Sequence, residues 1–394
     1  MKIKKMLLFL AFALLSMFKA GAVLATEVDN VTLEAVNFGG NNRYEVYHDT
    51  TRQSYVTHWE RNRNTQAPLC YLRNTRVEVL AGFSVTPTNA AKDIKIRGDA
   101  GNYIFGEKQV HAADGKVRYP ATASSNVLPN TIRPGDYFNI QWQWSKDGGT
   151  TWNNAGASSN QMYVVLANPG FNLLHTLVDV SCSPNAGGTY SDAIVSNIWS
   201  KFSDRHVDRV DIPRQLGYWV NGVGNAQNAA DLISSGNGEC RSWVSFLRDC
   251  LTLQGITSTS VTLTPGYSSD LDTRFLIKNW TFDVGTAPAV AAPFTHKTGE
   301  YHDVSGVGAQ GNANPPGWFY NHVIVKRNGI YYDPSYGGSP YSSATGITAQ
   351  SAWENNSLDG FDINVLIKDD FGNEVPTRIG KKNDPNQLET SFSS

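Results

Sequence analysis

The stretch from Ser235 to Ile256 places a cysteine where a glycine-rich turn gives way to a helix. Gly236, Asn237 and Gly238 make the turn, and Cys240 follows it. Beyond that point, apolar side chains recur at spacings of three and four residues: Trp243, Val244, Phe246, Leu247, Cys250, Leu251 and Leu253. This spacing predicts a helix with a wide buried face. Gly255 is the residue type at which such a helix ends.

Cys240 therefore belongs to the first turn of the predicted helix. The unpaired N–H groups and the positive dipole end at that position favour a thiolate, the nucleophilic form of cysteine. An unpaired cysteine on its own is more often an inert buried residue. The case for chemistry at Cys240 thus depends on a second segment.

Residues 321–336 predict a β-hairpin, because two strand-like runs flank Asn328-Gly329. In the register set by that turn, His322 and Asp333 project from the same face as diagonal neighbours on adjacent strands. A carboxylate so placed fixes the tautomer of the imidazole and leaves its other nitrogen free to act. The alternative is an ordinary surface pair. Together with Cys240, the chain offers a nucleophile, a base and an orienting acid.

The segments Gly238-Glu-Cys-Arg-Ser-Trp243, Asn321-His-Val323 and Tyr332-Asp-Pro334 resemble the three motifs of the transglutaminase-like superfamily. The resemblance covers roughly residues 171–367. It implies a papain-like α+β core, with Cys240 as the nucleophile, His322 as general base and acid, and Asp333 as the orienting carboxylate. It leaves the reaction open, because the superfamily includes acyl transferases, proteases, deamidating enzymes, amidases and inactive members.

Residues 1–25 have the pattern of a secretory signal, with lysines followed by an apolar run and small residues. An uncleaved membrane anchor is the alternative, although the run is short for a span. We therefore expect a secreted or periplasmic protein with no membrane association after signal removal. The whole chain carries 33 basic and 35 acidic side chains. Four of the lysines lie in residues 1–25, so the remainder is acidic, which argues against a nucleic-acid partner.

Residues 26–168 read as all-β, with alternating runs such as Tyr137–Trp144 broken by turns such as Asp147-Gly148. That pattern predicts an immunoglobulin-like β-sandwich. Asn168-Pro-Gly170 marks a linker, and an α+β papain-like domain is expected over residues 169–372. Residues 373–394 are polar and are expected to lack order.

Several features leave alternatives open. Cys182 and Cys250 are both predicted on helices, and either a disulfide or two buried free thiols fits them. Trp219, Asn221 and Asn237 are candidate donors to an oxyanion beside Cys240. Residues 284–317 form a long loop that would border the cleft. We expect no metal site and no cofactor, because the scattered acids and histidines near this loop lack ligand spacing.

The sequence thus predicts an exported cysteine enzyme that acts on amide bonds of proteins or peptides through a thioester. Hydrolysis and acyl transfer share every step up to that thioester. One alternative is a non-catalytic binding or scaffold protein that keeps the transglutaminase-like fold. Another is an adhesin or glycan-binding protein that contacts a cell surface through its β-sandwich.

Overall fold

The computed structural model describes residues 26–54, 58–265, 272–277, 308–315, 318–368, 374–381 and 390–393. The predicted signal segment, residues 1–25, lies outside the described residues. The described residues are mostly β, with more of them in strands than in helices. None of the helices in the described part of the chain is long and apolar enough to cross a bilayer.

The part of the chain before residue 166 consists of strands and turns. Its strands are β1 (Asn30–Gly39), β2 (Arg43–Tyr44), β3 (Val46–Tyr47), β4 (Trp59–Glu60), β5 (Leu69–Leu72), β6 (Arg76–Thr86), β7 (Lys92–Ala100), β8 (Tyr103–Ala112), β9 (Lys116–Val127), β10 (Arg133–Ser145) and β11 (Asn153–Val165). All of these strands except β3 form two sheets, a four-stranded one in the order β4-β1-β6-β9 and a six-stranded one in the order β2-β5-β11-β10-β7-β8.

Alternating side chains of these two sheets meet in one buried cluster. Along β6, for example, Val77, Val79 and Ala81 are buried while the residues between them are more exposed. Trp142 of β10 packs at its centre, with its ring 5.5 Å from Phe83 and 5.3 Å from Tyr119. Period-two alternation of this kind is what a strand with one buried face requires. The aromatic residues of Tyr137–Trp144 thus include core residues, whereas Tyr137 itself is exposed.

Helices and further strands follow. The helices are α1 (His175–Cys182), α2 (Ser191–Ser203), α3 (Ala229–Ser235), α4 (Cys240–Leu253) and α5 (Ala349–Ser357), with 3-10 turns at Ser183–Asn185 and Val220–Gly222. The strands are β12 (Leu173–Leu174), β13 (Gly217–Tyr218), β14 (Asn237–Gly238), β15 (Thr259–Pro265), β16 (Asp272–Ile277), β17 (Trp318–Phe319), β18 (His322–Arg327), β19 (Ile330–Tyr332), β20 (Leu358–Lys368), β21 (Glu374–Lys381) and β22 (Thr390–Ser393).

Two four-stranded sheets follow, in the orders β19-β18-β15-β22 and β17-β16-β20-β21. His322 lies on β18 of the first sheet. The helix α4 packs its apolar face against β18, so Trp243, Val244 and Phe246 share one core with Val323 and Val325. A smaller core lies around Phe275, Ile324 and Trp353. Both cores meet near the start of β18, where His322 lies.

The structure differs from the sequence-based expectations in several elements. The apolar stripe of Leu173, Leu174, Leu177 and Val178 predicts a helix, but Leu173–Leu174 pairs as a strand with Val46–Tyr47 and the helix begins after it. The serine-rich stretch that follows Tyr336-Gly-Gly338 predicts a loop, but the helix α5 occupies part of it. The Thr348 hydroxyl caps this helix by accepting from the Ser351 amide. Strands β21 and β22 lie in the expected unordered tail. β22 pairs with β15 through its backbone, which a hydrophobic pattern does not reveal.

All four cysteines are free thiols, so the Cys182–Cys250 disulfide, one of the two alternatives, is not formed. The two sulfur atoms have other neighbours. Cys250 Sγ lies 3.8 Å from the carbonyl of Leu177, and Cys182 Sγ accepts from Gln254 Nε2 at 3.5 Å. Burial raises the pKa of the Cys182 thiol to about 12 and that of Cys250 well above its ordinary value. Both thiols therefore stay protonated at neutral pH.

Candidate functional site

The nucleophile candidate, Cys240, is the first residue of α4 and is 8% exposed. Hydrogen bonds hold both backbone groups of Glu239, the residue before it. The Glu239 amide donates to the carbonyl of Ala226, and the Glu239 carbonyl accepts from the amide and the hydroxyl of Ser242. This turn holds the Cys240 side chain at the helix N-terminus, where the dipole favours negative charge.

Gly238 is required for this turn. A Cβ atom at that position would lie 2.2 Å from Ser242 Oγ and 3.1 Å from the Cβ of Ala226. The close approach lets β14 pair in parallel with β13, in the register Gly217 to Asn237 and Tyr218 to Gly238. The pairing brings the segment that follows β13 alongside the cysteine turn.

His322 and Asp333 lie in the predicted hairpin, whose register pairs Arg327 with Ile330 as expected. Asn328 and Gly329 both have positive φ, 49° and 76°, as a tight two-residue turn requires. His322 Nε2 lies 2.8 Å from Asp333 Oδ2, and the two side chains are almost fully buried. The sequence-predicted base and acid are thus brought together, and a surface pair is excluded.

The Asp333 carboxylate is held by its own turn. Its Oδ1 accepts from the amides of Ser335 at 3.2 Å and Tyr336 at 3.4 Å. Its Oδ2 accepts from His322 and, more weakly, from the Trp353 indole at 3.5 Å. Both oxygens are therefore satisfied in a buried position, which fixes the direction in which the imidazole ring points.

Aromatic rings enclose the imidazole. Phe319 lies 4.7 Å from the His322 ring centroid and nearly parallel to it, and Trp353 lies at 6.3 Å on a similar plane. Tyr336 approaches edge-on at 5.7 Å. These rings exclude water, which strengthens the electrostatic interaction between the histidine and the carboxylate. Phe319 and Trp353 were not predicted as site residues, because each lies on a separate element and carries no local signal in the sequence.

The second nitrogen of His322, Nδ1, is buried and makes no hydrogen bond of ordinary geometry with any described residue. Burial acts against a charge on the ring, but the Asp333 carboxylate and the Cys240 thiol outweigh it and raise the pKa of His322 to about 10. The imidazolium is therefore the favoured form at neutral pH. A charged imidazole near Cys240 would stabilise a thiolate as an ion pair.

A cleft of about 450 Å³ opens at Cys240. The described residues that line it are Tyr218, Trp219, Gly222, Glu239, Cys240, Phe319, Tyr320 and Asn321. Trp219 adopts the left-handed conformation, with φ 51°. Its amide donates to the carbonyl of Gly238 at 3.1 Å. The 218–222 segment and residues 319–321 thus both line the cleft together with Cys240.

The three predicted oxyanion donors differ in their positions. The Asn237 side chain is engaged with the 220–223 loop: it accepts from the Val220 amide at 3.0 Å and donates to the Val223 carbonyl. Asn221 is exposed and is not among the lining residues. Trp219 lines the cleft together with Cys240. Of the three residues, Trp219 is therefore the remaining candidate for an oxyanion donor beside Cys240.

Residues 308–315 are the described part of the predicted cleft loop 284–317. Within it, the backbone of Gln310 accepts from the Tyr218 amide at 2.7 Å and donates to Ser335 at 2.9 Å. The Gln310 side chain, fully buried, donates to the carbonyls of Phe202 and Pro334. This segment therefore connects Tyr218, which lines the cleft, to the turn that holds Asp333.

In the described residues, no group of three or more His, Cys, Asp or Glu side chains is arranged to hold a metal ion. No protein-family model matches the chain, and no curated protein matches it.

Proposed function

We propose that the chain is a transglutaminase-like cysteine enzyme that acts on amide bonds of proteins or peptides through a thioester. The observation that carries the proposal is the His322 ring. One nitrogen is anchored to Asp333 at 2.8 Å. The other has no hydrogen bond of ordinary geometry with a described residue, and the ring is close enough to Cys240 for that side chain to raise the pKa of His322. Such an arrangement suits proton transfer to and from a cysteine nucleophile.

In the first half-reaction, Cys240 Sγ attacks the amide carbonyl and forms a C–S bond. The C–N bond then breaks, and His322 gives its proton to the departing amine or ammonia. The tetrahedral oxyanion requires donors, and we assign that role to the backbone N–H of Cys240 and to the indole of Trp219, which lines the same cleft. Water or an amine then attacks the thioester, His322 accepts a proton, and Cys240 leaves as the thiolate.

The fold supports the same proposal at a coarser level. The strands before residue 166 are suited to an immunoglobulin-like sandwich, since two sheets share one core. A helix that begins at a nucleophile and packs on a sheet that carries the base suits a papain-like core. Export rests on the residue pattern of 1–25 alone.

Hydroxylamine trapping with casein as a general acyl donor tests the function. A thioester on Cys240 converts hydroxylamine to a protein hydroxamate, which iron(III) reports by colour. We expect hydroxamate formation by the wild type and by Cys182→Ala, and none by Cys240→Ala with unchanged circular dichroism. Hydroxamate formed equally by Cys240→Ala would refute the proposal, and a non-catalytic scaffold or an adhesin would then be the better account.

A further inference from the structure

Trp219 is held in a backbone conformation that a bulky side chain rarely adopts. Its φ and ψ are 51° and 39°, in the left-handed region, where the Cβ atom of an L-residue crowds the backbone. A residue stays in such a conformation only when the surrounding structure fixes it. Contacts from other parts of the chain must therefore hold Trp219 in the cleft.

Asn312 supplies contacts to the two peptide groups that flank Trp219. Its Nδ2 donates to the carbonyl of Tyr218 at 2.9 Å and to the carbonyl of Trp219 at 3.1 Å. Its Oδ1 accepts from the amide of Asn314 at 3.0 Å, which fixes the direction of the side-chain amide. Neither peptide group can rotate without losing a hydrogen bond. Asn312 is not among the described residues that line the cleft, so both carbonyl oxygens are drawn toward a side chain outside it.

Gly224 leaves room for the indole ring. A Cβ atom at that position would lie 2.7 Å from Trp219 Cε2 and 3.1 Å from Trp219 Nε1. Gly224 does not have a positive φ. Its backbone would therefore accept another residue, and it is the close approach of the ring that requires a glycine there. Asn312 thus fixes the backbone of Trp219, and Gly224 allows the position of its side chain.

We propose that Asn312 and Gly224 are positioning residues that preorganise the Trp219 indole as a donor to the oxyanion. The inference rests on the proposed function and deepens it, because it names the residues through which this donor is held. A preorganised donor needs no rearrangement when charge develops on the substrate oxygen. Without Asn312, Trp219 would relax toward negative φ and rotate its peptide groups. The indole would then lose its place, and a carbonyl oxygen turned into the cleft would repel the oxyanion.

A double-mutant cycle tests this role. Hydroxamate formation from casein and hydroxylamine measures turnover, and iodoacetamide alkylation measures the reactivity of Cys240 alone. Asn312→Ala should lower turnover by about tenfold or more, because a small misplacement of a reacting or stabilising group is costly. Alkylation builds no oxyanion and should fall by less than about twofold. In the Trp219→Phe background no indole is left to misplace, so Asn312→Ala should lower turnover by less than about twofold.

Two further variants sharpen the test. Gly224→Ala leaves the Asn312 side chain in place but displaces the indole, and it should cause the same selective loss of turnover. If circular dichroism shows that Asn312→Ala does not fold, Gly224→Ala decides the outcome. Asn314→Ala is the matched control, because Asn314 is exposed and contacts Asn312 through its backbone amide. It should leave both rates unchanged.

The outcomes separate this inference from the proposed function. Equal losses of turnover from Asn312→Ala in the wild-type and Trp219→Phe backgrounds would overturn the proposal, because Asn312 would then act by another route than the indole. A parallel loss of alkylation would overturn it as well. Unchanged turnover in either Asn312→Ala or Gly224→Ala would refute the role of that residue while the proposed function stands. A wild type that forms no hydroxamate would refute the proposed function, and the oxyanion role of Trp219 with it.

Discussion

His322 Nε2 and Asp333 Oδ2 lie 2.8 Å apart in a position where both side chains are almost fully buried. Neither group can be satisfied by water there, so each depends on the other. Asp333 is held in turn by the amides of Ser335 and Tyr336. The pair thus fixes the imidazole in one orientation.

Asp333→Asn should make the stability of the protein less dependent on pH. Because the pKa of His322 is raised from 6.5 to about 10 in the folded state, the folded protein binds more protons than the unfolded chain between those values. The associated stability is fully present below about pH 6.5 and is lost as the pH rises toward 10. Asp333→Asn removes the cause, so the difference in free energy of unfolding between wild type and variant should shrink with rising pH.

Urea unfolding of both proteins at pH 6.5 and 9.5 measures that difference, and groups that the two proteins share cancel. At pH 6.5 the variant should be less stable by about 3–5 kcal/mol, the usual loss when a buried ion pair is broken. A difference that stays constant or grows with pH would contradict the assigned charge on His322.

Gly238→Ala should disturb the cysteine turn. The new methyl group would lie 2.2 Å from Ser242 Oγ, and overpacking of this kind costs about 1–3 kcal/mol. Thermal unfolding and Cys240 alkylation should both report the change. Adding Ser242→Ala removes the hydroxyl and should restore part of the stability. The matched control is Gly82→Ala, where a Cβ meets nothing within 4 Å. Equal losses of stability at the two glycines would contradict the close packing of Gly238 against Ser242.

Trp219→Phe should separate oxyanion stabilisation from nucleophile reactivity. The variant keeps an aromatic wall but lacks the indole N–H. Loss of one oxyanion donor typically lowers turnover by about 100-fold or more, so hydroxamate formation should fall by that order. Alkylation by iodoacetamide builds no oxyanion and should change by less than about twofold on the same reasoning. If both rates fall together, Trp219 supports the structure of the cleft and not the oxyanion.

Gln310→Ala should destabilise the protein, because Gln310 connects Tyr218 of the cleft to the turn that holds Asp333. The amide of this fully buried side chain donates to Phe202 and Pro334 at 2.6 and 3.0 Å. Leaving these carbonyls unpaired should cost about 1–3 kcal/mol of stability, measured by urea unfolding. Gln109→Ala, an exposed change on β8, is the control and should cost less than about 0.5 kcal/mol. Similar losses in both variants would contradict the role of Gln310.

Local patterns predicted the elements that present the site. The apolar spacing after Cys240 predicts the helix that the structure begins at that residue, and all seven of the apolar positions are buried. Asn328-Gly329 set the hairpin register that places His322 near Asp333. Both features depend on contacts within a few residues or across one turn, so a single sequence carries their signal.

The residues that enclose the site from distant parts of the chain were not predictable in the same way. Trp353 reaches His322 from α5, 31 positions further along the chain, and its helix has few apolar residues to mark it. Gln310 lies 92 positions beyond Tyr218, whose amide donates to its carbonyl oxygen. Such contacts follow from how separate elements pack, and the residue types involved occur equally often in ordinary cores and turns.

The pH dependence of Cys240 alkylation tests the central claim most directly. Purified protein is treated with iodoacetamide from pH 5 to 9, and mass spectrometry follows each cysteine. A free thiol, with a pKa of about 8.5, is almost fully protonated at pH 6. The account predicts that at pH 6 Cys240 is alkylated at least about tenfold faster in the wild type than in His322→Ala, because the imidazolium favours the thiolate. Equal rates in the two proteins, with folding retained, would contradict it.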